Sequence, residues 1–416
     1  LPWRPQYQTI LVNFFDYLHS DELLAQSRLE PNRFLRQRIL TFPVLVVAML
    51  SGFKAGVQNE LNAFFAHLAN QAGLVRQASA QAFSKARKNL SHLAFDVLNT
   101  RLLTLVHEHL PVPLWHGLRV VAADASKMQL VLQDATGRRV REAVAFALYL
   151  PGLEMTLAAK LYSPATGERQ MLFEHLERLD SGDLLVLDRG YPSRWLIAYL
   201  TQHGIPFCMR ADDSGFTAVK DFLRCGLPEA VVMLRAPDKR DCVDYECAAT
   251  PTQVRLVRVV TPNGRVHAVI TSLLDATTYP AEGFADLYHS RWRIEEAFKR
   301  LKLRMALENT SGLSWLAAQQ DFGAKVLADN LHALAVMEAT ALGKIPDGYK
   351  LNRTYAFAHL KRCLPRWLIV ALPSTEQVMT VFAELAKNLI RFVAGATKPR
   401  PAHPKPHRKH GYKSTT

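Results

Sequence analysis

Three acidic residues stand where carboxylates could bind a divalent cation. Asp124 follows the apolar run LRVVAA, Asp188 follows DLLVL, and Glu295 lies in the charged stretch YHSRWRIEEAFKRLK, residues 288–302. Each aspartate alone is also consistent with an ordinary turn residue at a strand end. If the two strands are neighbours, however, both carboxylates point into one crevice, and a glutamate from a later helix completes a ligand set for Mg²⁺. Two such ions about 4 Å apart can hold the attacking and leaving oxygens of a phosphoryl transfer.

If the charged stretch forms one helix, its two glutamates lie on different faces of that helix. At about 100° per residue, Tyr288, Arg291, Glu295 and Lys302 fall in a sector roughly 60° wide. An adjacent apolar stripe that would pack on a sheet consists of Leu287, Ile294, Phe298 and Leu301. Glu296 lies on the far side from this stripe, where it would face solvent and pair with Arg300. Glu295 is therefore the predicted ligand, although an ordinary salt-bridging surface glutamate is the alternative.

The elements that must position these acids alternate in type from residue 118 onward. The pattern predicts three strands, a helix, a strand, a helix and a strand, which indicates an α/β core with a mixed sheet covered by helices. The segments are LRVVAAD (118–124), EAVAFALYLPG (142–152), EMTLAAKLYSP (154–164), GERQMLFEHLERL (167–179), DLLVLDRG (183–190), SRWLIAYLTQHG (193–204) and PFCMRAD (206–212). The first strand is expected to end at Asp124 and the fourth near Asp188.

The regions outside this core differ from it in predicted secondary structure and in charge. Residues 1–112 read as helical and contain a basic segment with Lys85, Arg87 and Lys88, which predicts a DNA-binding domain, although a solvated charged face is the alternative. A β-rich insertion is expected to interrupt the core, with a hairpin at Asn263–Gly264. The predicted divisions are 1–112, 113–212 (first part of the core), 213–280 (insertion), 281–310 (glutamate helix), 311–397 (helical domain) and 398–416 (basic flexible tail).

The composition favours a polyanionic partner. The 416 residues carry a formal net charge of +14, and six Lys/Arg without any acid lie in the tail after residue 397. Such a balance favours nucleic acid over a membrane. The five cysteines form no CxxC pair, and no signal pattern or membrane-spanning run is recognisable. We therefore expect a protein of a reducing cytosol.

Together these motifs resemble those of a known family. Tyr288, Arg291, Glu295 and Lys302 have the spacing of the Y-R-E-K signature of the insertion-sequence-four family of DDE transposases. LDRGY at residues 187–191 resembles the family's second-aspartate segment, and AADAS at 122–126 resembles the first. The resemblance covers roughly residues 118–305. It implies an RNase H-like catalytic core interrupted by an insertion, with helical regions on both sides.

The resemblance also implies roles for individual residues. Asp124, Asp188 and Glu295 would be catalytic and would bind two Mg²⁺ ions, for which Mn²⁺ can substitute. Tyr288, Arg291 and Lys302 would hold the DNA phosphates, and Arg189 and Tyr191 beside the second aspartate are further candidates for DNA contact.

The implied activity is cut-and-paste transposition. The enzyme would cleave DNA at the terminal inverted repeats, with or without a hairpin intermediate, and join the released 3′-OH to target DNA. The family usually acts as a homodimer that bridges two ends. The insertion has no Trp, so Phe216 or Tyr245 would have to provide any aromatic side chain that stacks on a base.

Two other classes of protein remain open at this stage. A domesticated transposase could bind DNA without catalysis, but it would have no need of three intact acids. A general RNase H-like nuclease would not need Arg291 and Lys302 on the glutamate's face of the helix. Mg²⁺-dependent nicking separates the first class from a transposase, and strand-transfer products exclude the second.

Overall fold

A computed structural model describes residues 6–36, 38–133, 136–137, 139–213, 215–261 and 264–391. The basic tail 398–416 and Asn263 of the expected hairpin lie outside these residues. Within the described chain, no helix is both long enough and apolar enough to cross a membrane. The chain forms two compact units. Unit 1 takes its described residues from Leu1–Pro111, Met128–Ala143 and Arg300–Thr416, and unit 2 takes its residues from Val112–Lys127 and Val144–Lys299.

The strands lie mostly in the middle of the chain. They are β1 (Arg119–Gln133), β2 (Arg139–Leu150), β3 (Met155–Tyr162), β4 (Asp183–Leu187), β5 (Phe207–Ala211), β6 (Glu229–Leu234), β7 (Thr252–Val260), β8 (Val266–Thr271), β9 (Tyr349–Leu351) and β10 (Leu389–Arg391). The first eight form one sheet in the order β3-β2-β1-β4-β5-β8-β7-β6. β1, β4 and β5 are parallel neighbours, whereas β5, β8, β7 and β6 pair antiparallel. The predicted mixed α/β architecture is thereby confirmed.

The helices are α1 (Gln6–Leu18), α2 (Asp21–Ser27), α3 (Phe42–Leu50), α4 (Val57–Leu68), α5 (Ala80–Arg87), α6 (Leu93–His109), α7 (Glu168–Phe173), α8 (Arg194–Gln202), α9 (Thr217–Cys225), α10 (Lys239–Asp244), α11 (Gly283–Ser290), α12 (Trp292–Arg304), α13 (Trp315–Leu342), α14 (Arg353–Ile369) and α15 (Thr375–Lys387). Unit 1 is built around α13, which packs against α1, α3, α6, α14 and α15. In unit 2, α11 packs on the face of the sheet through Phe284, Leu287 and Tyr288.

The segment 213–280 continues the sheet. Its strands β6, β7 and β8 exist as expected, and β8 pairs with β5, so these strands extend the sheet that carries the two aspartates. Gly264 has a φ of +76°, a conformation that glycine adopts without strain, in the turn that joins β7 to β8. That this segment is an insertion into a smaller core stays a prediction, as do the predicted domain boundaries.

The strand expected to end at Asp124 is longer than predicted. β1 continues through Asp124 to Gln133. The physical reason is that burial alternates along the chain after the aspartate, as it does in a strand with one buried face. Met128, Leu130 and Leu132 are buried, and the residues between them are more exposed. Asp124 therefore lies within a strand, whereas Asp188 directly follows the last residue of β4, as expected.

A buried ion pair lies at the start of β1 and β4. Arg119 and Asp183 are opposite each other in the parallel register. The Arg119 guanidinium donates to both carboxylate oxygens of Asp183, with N···O distances of 2.5 and 2.7 Å. Asp183 is fully buried, so this pairing removes what would be a costly unpaired charge. A shift in register by one residue would break the pair, which specifies how the two strands align.

We predict that Arg119→Met lowers the free energy of unfolding by about 3 kcal/mol, because it leaves the Asp183 carboxylate buried without its partner. The matched control is Arg141→Met, at an exposed arginine of β2, which should change stability by less than about 0.5 kcal/mol. Urea unfolding of both variants provides the measurement. Equal stability of the two variants would contradict the role given to the ion pair.

Candidate active site

The parallel pairing of β1 with β4 aligns the two aspartates. The register runs from Arg119 opposite Asp183 to Ala122 opposite Val186. Asp124 and Asp188 each come two residues after the last of these pairs. Because side chains alternate between the faces of a sheet, both carboxylates leave the strands in the same direction. The expectation that the strands carrying these acids are neighbours is confirmed.

The glutamate helix is divided at Arg291. α11 ends at Ser290 and α12 begins at Trp292, although Arg291 itself keeps helical dihedral angles of −55° and −34°. The Arg291 N–H donates to the Tyr288 carbonyl, and the Arg291 carbonyl accepts from the Ile294 N–H, both at the three-residue spacing of a tighter 3₁₀ turn. The sequence predicted one regular helix through this stretch. That prediction is wrong at Arg291, where a 3₁₀ turn separates α11 from α12.

Arg291 is the buried cation of the site. Its side chain is 3% exposed, and Nη2 donates to Glu295 Oε1 at 2.9 Å. The same nitrogen lies 4.0 Å from Asp188 Oδ2. Nε and Nη1 have no hydrogen-bond partner among the described residues. One guanidinium thus connects the acid after β4 with the acid of α12 and retains two N–H groups for a further acceptor.

Tyr288 orients Asp188 from the other side. The tyrosine is buried, and its hydroxyl donates to Asp188 Oδ1 at 3.1 Å. The backbone N–H of Arg189 donates to the same oxygen at 2.6 Å. Three residues of the four-residue signature, Tyr288, Arg291 and Glu295, therefore lie together with the second aspartate in unit 2.

The electrostatic environment favours the protonated form of Asp124. The pKa of this carboxyl is raised to about 7, mainly because the residue is buried; Arg291 lowers the pKa, whereas Glu295 and Glu168 raise it. Burial and the Asp188 carboxylate also raise the pKa of the Tyr288 hydroxyl. The site therefore has more carboxylate charge than its buried arginine balances, a situation that a bound cation would relieve.

The residue types fit a divalent cation, but their side-chain positions are not those of a closed metal site. Carboxylate oxygens are the ligands that Mg²⁺ takes in proteins. Among the described residues, however, no three His, Cys, Asp or Glu side chains are grouped so that they could hold one metal ion. The physical reason lies at Arg291, which engages Glu295 and approaches Asp188. Glu295 would have to leave Arg291 to bind a cation together with the aspartates.

Glu296 and Glu295 differ as predicted. Glu296 is exposed, whereas Glu295 is partly buried and paired with Arg291. The apolar stripe beside them is buried, with Leu287, Ile294 and Phe298 between 1% and 5% exposed. Arg300, the expected partner of Glu296, forms an ion pair with Asp329 at 2.6 Å, and its pairing with Glu296 stays a prediction.

The remaining phosphate-binding candidate is Lys302. It lies near the end of α12, in the part of the helix that belongs to unit 1. The side chain is half-buried, and burial lowers the pKa of its ammonium group, an effect that Glu308 opposes. Its role at DNA phosphates stays a prediction.

Arg87 was expected to contact DNA, and this prediction is wrong. The side chain is 4% exposed and is bound on all sides within unit 1. It donates to Gln320 Oε1, to the Ser311 hydroxyl, to the Ala317 carbonyl and to the Asp321 carboxylate. The guanidinium therefore joins α5 to α13 instead of reaching a ligand.

The other proposed DNA contacts divide in the same way. Lys85, Lys88 and Arg189 are exposed, and Arg189 forms an ion pair with Asp212 at 3.4 Å. These three stay candidates. Tyr191 is 1% exposed, so its ring is not available to DNA at the surface, and its role in DNA contact stays a prediction.

Two aromatic residues are candidates for stacking on a DNA base, and one of them, Tyr245, already stacks on another side chain. Its ring is stacked on Trp195 with a centroid distance of 3.6 Å and an interplanar angle of 5°. Phe216 is partly exposed at the start of α9. The geometry therefore favours Phe216 as the available ring.

One residue of the site was missed in the sequence. Glu168, the first residue of α7, contributes to the raised pKa of Asp124, and its own pKa is raised by burial and by Asp188. In the sequence it reads only as the first acid of an amphipathic helix. The available signal was its position shortly after the end of the third strand, the same kind of position that drew attention to Asp188.

Comparison with known proteins agrees with this geometry. Residues 115–331 match the family model described as the transposase DDE domain. The match covers more than half of the chain, which therefore belongs to the family of DDE transposase domains. It includes β1, β4, the 3₁₀ turn at Arg291 and all of α12.

Individual relatives are more distant. The chain is 26% identical over 244 residues to the transposase InsG for insertion sequence element IS4 of Escherichia coli (strain K12), a match that covers 54% of this chain and 53% of the relative. The chain thus spans about half the length of the curated relative it matches. A piggyBac transposase in a synaptic complex with hairpin DNA is 10% identical, with a TM-score of 0.42 over 93% of this chain and 87% of the other. A similarity this low supports no assignment.

We predict that Asp124→Asn stabilises the metal-free protein more at pH 8 than at pH 5. An acid whose pKa is raised on folding destabilises the folded state increasingly as the pH rises from its unfolded value through its folded value. With a folded pKa of about 7, the variant should gain up to roughly 3 kcal/mol over the parent between these two pH values.

Urea unfolding in EDTA at both pH values measures this gain. The control is Asp213→Asn, at an exposed aspartate, for which no such change is expected. A gain at Asp124 that does not depend on pH would contradict the burial described above.

Proposed function

We propose that this protein is an insertion-sequence transposase, which cleaves DNA at the ends of its element and joins them to target DNA. The observation that carries the proposal is the meeting of Asp188, Tyr288, Arg291 and Glu295 beside Asp124, in a chain that belongs to the DDE transposase domain family. The match to an IS4 transposase supports the same function.

The catalytic residues are Asp124, Asp188 and Glu295. When bound, two Mg²⁺ ions, for which Mn²⁺ can substitute, would neutralise charge at the phosphate and favour the ionised form of the attacking hydroxyl. The carboxylates would hold these ions on one side of the scissile phosphodiester. Tyr288 contributes by keeping Asp188 in one orientation through its hydroxyl hydrogen bond.

Arg291 is the proposed phosphate ligand. Phosphoryl transfer depends mainly on positioning and on neutralisation of charge. Arg291 retains Nε and Nη1 as donors, and a guanidinium presents such donors to phosphate in a fork that lysine cannot reproduce. Lys302, near the end of α12, would also contact DNA phosphate.

We infer an RNase H-like core made of β1 to β5 with α7, α8 and the glutamate helix. Three consecutive strands that occupy neighbouring places in the sheet, followed by parallel strands connected through α8, support this inference. The partners would be the terminal inverted repeats and target DNA, bridged by a homodimer. The net charge of +14 supports DNA as the partner, and the exposed Lys85 and Lys88 are candidate contacts in unit 1.

The decisive comparison is between the neighbouring glutamates. We predict that Glu295→Gln abolishes Mg²⁺-dependent cleavage of DNA that flanks the protein's own gene, because it removes one of the three catalytic carboxylates. DNA binding, measured by gel shift, should persist.

Glu296→Gln is the matched control, since this exposed neighbour undergoes the same chemical change on the other side of α12. It should cleave like the parent. Equal loss in both variants would overturn the assignment of Glu295, and cleavage without strand-transfer products would indicate a nuclease instead.

A further inference from the structure

Glu168 is held against the turn that carries Asp188. A Cβ atom placed on Gly190 would lie only 3.7 Å from Glu168 Oε2, so the carboxylate approaches the backbone of this turn directly. The neighbouring Arg169 fixes the approach. Its Nε donates to the Tyr191 carbonyl at 3.0 Å and its Nη2 to the Pro192 carbonyl at 3.2 Å. The start of α7 is thereby attached to the residues that follow Asp188.

The Glu168 carboxylate is electrostatically part of the acid cluster. Its charge contributes to the raised pKa of the Asp124 carboxyl, and its own pKa is raised by burial and by Asp188. Asp124, Asp188 and Glu295 act on the buried guanidinium of Arg291, and Glu168 adds a fourth carboxylate that acts on the two aspartates. When all four are ionised, the excess negative charge is larger than one divalent cation can neutralise.

An independent observation indicates that the cluster receives a ligand. Tyr191 is 1% exposed, yet its hydroxyl has no hydrogen-bond partner among the described residues. Burial raises the pKa of this hydroxyl, and the charges of Glu168, Asp124 and Asp188 raise it too, so the hydroxyl lies near the same carboxylates. Arg291, which is 2% exposed, has two N–H groups in the same condition. Buried polar groups seldom remain unpaired unless an ion, a water or a ligand completes their contacts.

We propose that Glu168 is a fourth carboxylate of the divalent-cation site and binds the cation directly or through one water. The inference rests on the proposed function, because it assigns a further ligand to the same site. It explains why α7 is attached by Arg169 to the turn after Asp188, and it provides enough carboxylate charge for two cations.

The test measures cation binding by the full chain in the absence of DNA. Isothermal titration calorimetry with MnCl₂ should show that Glu168→Gln weakens Mn²⁺ binding by at least about 10-fold. Glu177→Gln, at an exposed glutamate in the same region of the chain, should bind like the parent. Thermal unfolding in EDTA verifies that each variant is folded; Glu168 is an exposed residue, so its substitution should leave the fold intact.

The outcomes separate this inference from the proposed function. If Glu168→Gln binds Mn²⁺ like the parent while Glu295→Gln binds it more weakly, the inference is overturned and the proposed function stands. If the parent neither binds Mn²⁺ nor cleaves its end DNA, the proposed function fails and the inference fails with it. Weakened binding in both variants, with Glu177→Gln unchanged, supports the inference.

Discussion

The in-register parallel pairing of β1 with β4 is the constraint on which the site depends. The Arg119–Asp183 ion pair lies at the start of both strands, and Asp124 and Asp188 each follow five residues later. Because the spacing is the same on both strands, the pairing that satisfies the buried charge of Asp183 also brings the two acids to the same level of the sheet. A slip by one residue would unpair Asp183 and turn one acid toward the opposite face.

The second constraint is the charge balance around Arg291. A buried guanidinium needs acceptors, and here Glu295 provides one while Asp188 lies within 4.0 Å. The same contacts keep the carboxylates from converging on one point, which is why the described residues contain no closed metal site. Binding of cations and DNA would replace one set of partners with another. Glu295 would pass from the guanidinium to a cation, and Arg291 would pass from the carboxylate to a phosphate. Under the proposed function, the charges would already lie close to their working positions before the substrate arrives.

Much of this arrangement could be predicted from local sequence. Apolar runs bounded by turn residues are sufficient to place β2 to β5, and helical angles are sufficient to separate Glu295 from Glu296. What could not be predicted depends on distant partners. Arg87 is buried because Gln320 and Asp321, more than 230 residues away, accept its hydrogen bonds. Glu168 belongs to the acid cluster because Arg169 attaches α7 to a turn that follows a different strand. Neither set of long-range contacts produces a periodic pattern that could be recognised in the sequence.

We propose that Asp124, Asp188 and Glu295 form one cation-binding site. Anomalous diffraction at the manganese edge, from crystals of the full chain grown with MnCl₂, would locate the cation. We expect anomalous density within about 2–2.5 Å of carboxylate oxygens of both aspartates, with Glu295 turned from Arg291 toward the metal. Density that is absent at saturating Mn²⁺, or that lies away from these residues while Glu295 stays paired with Arg291, would contradict the claim.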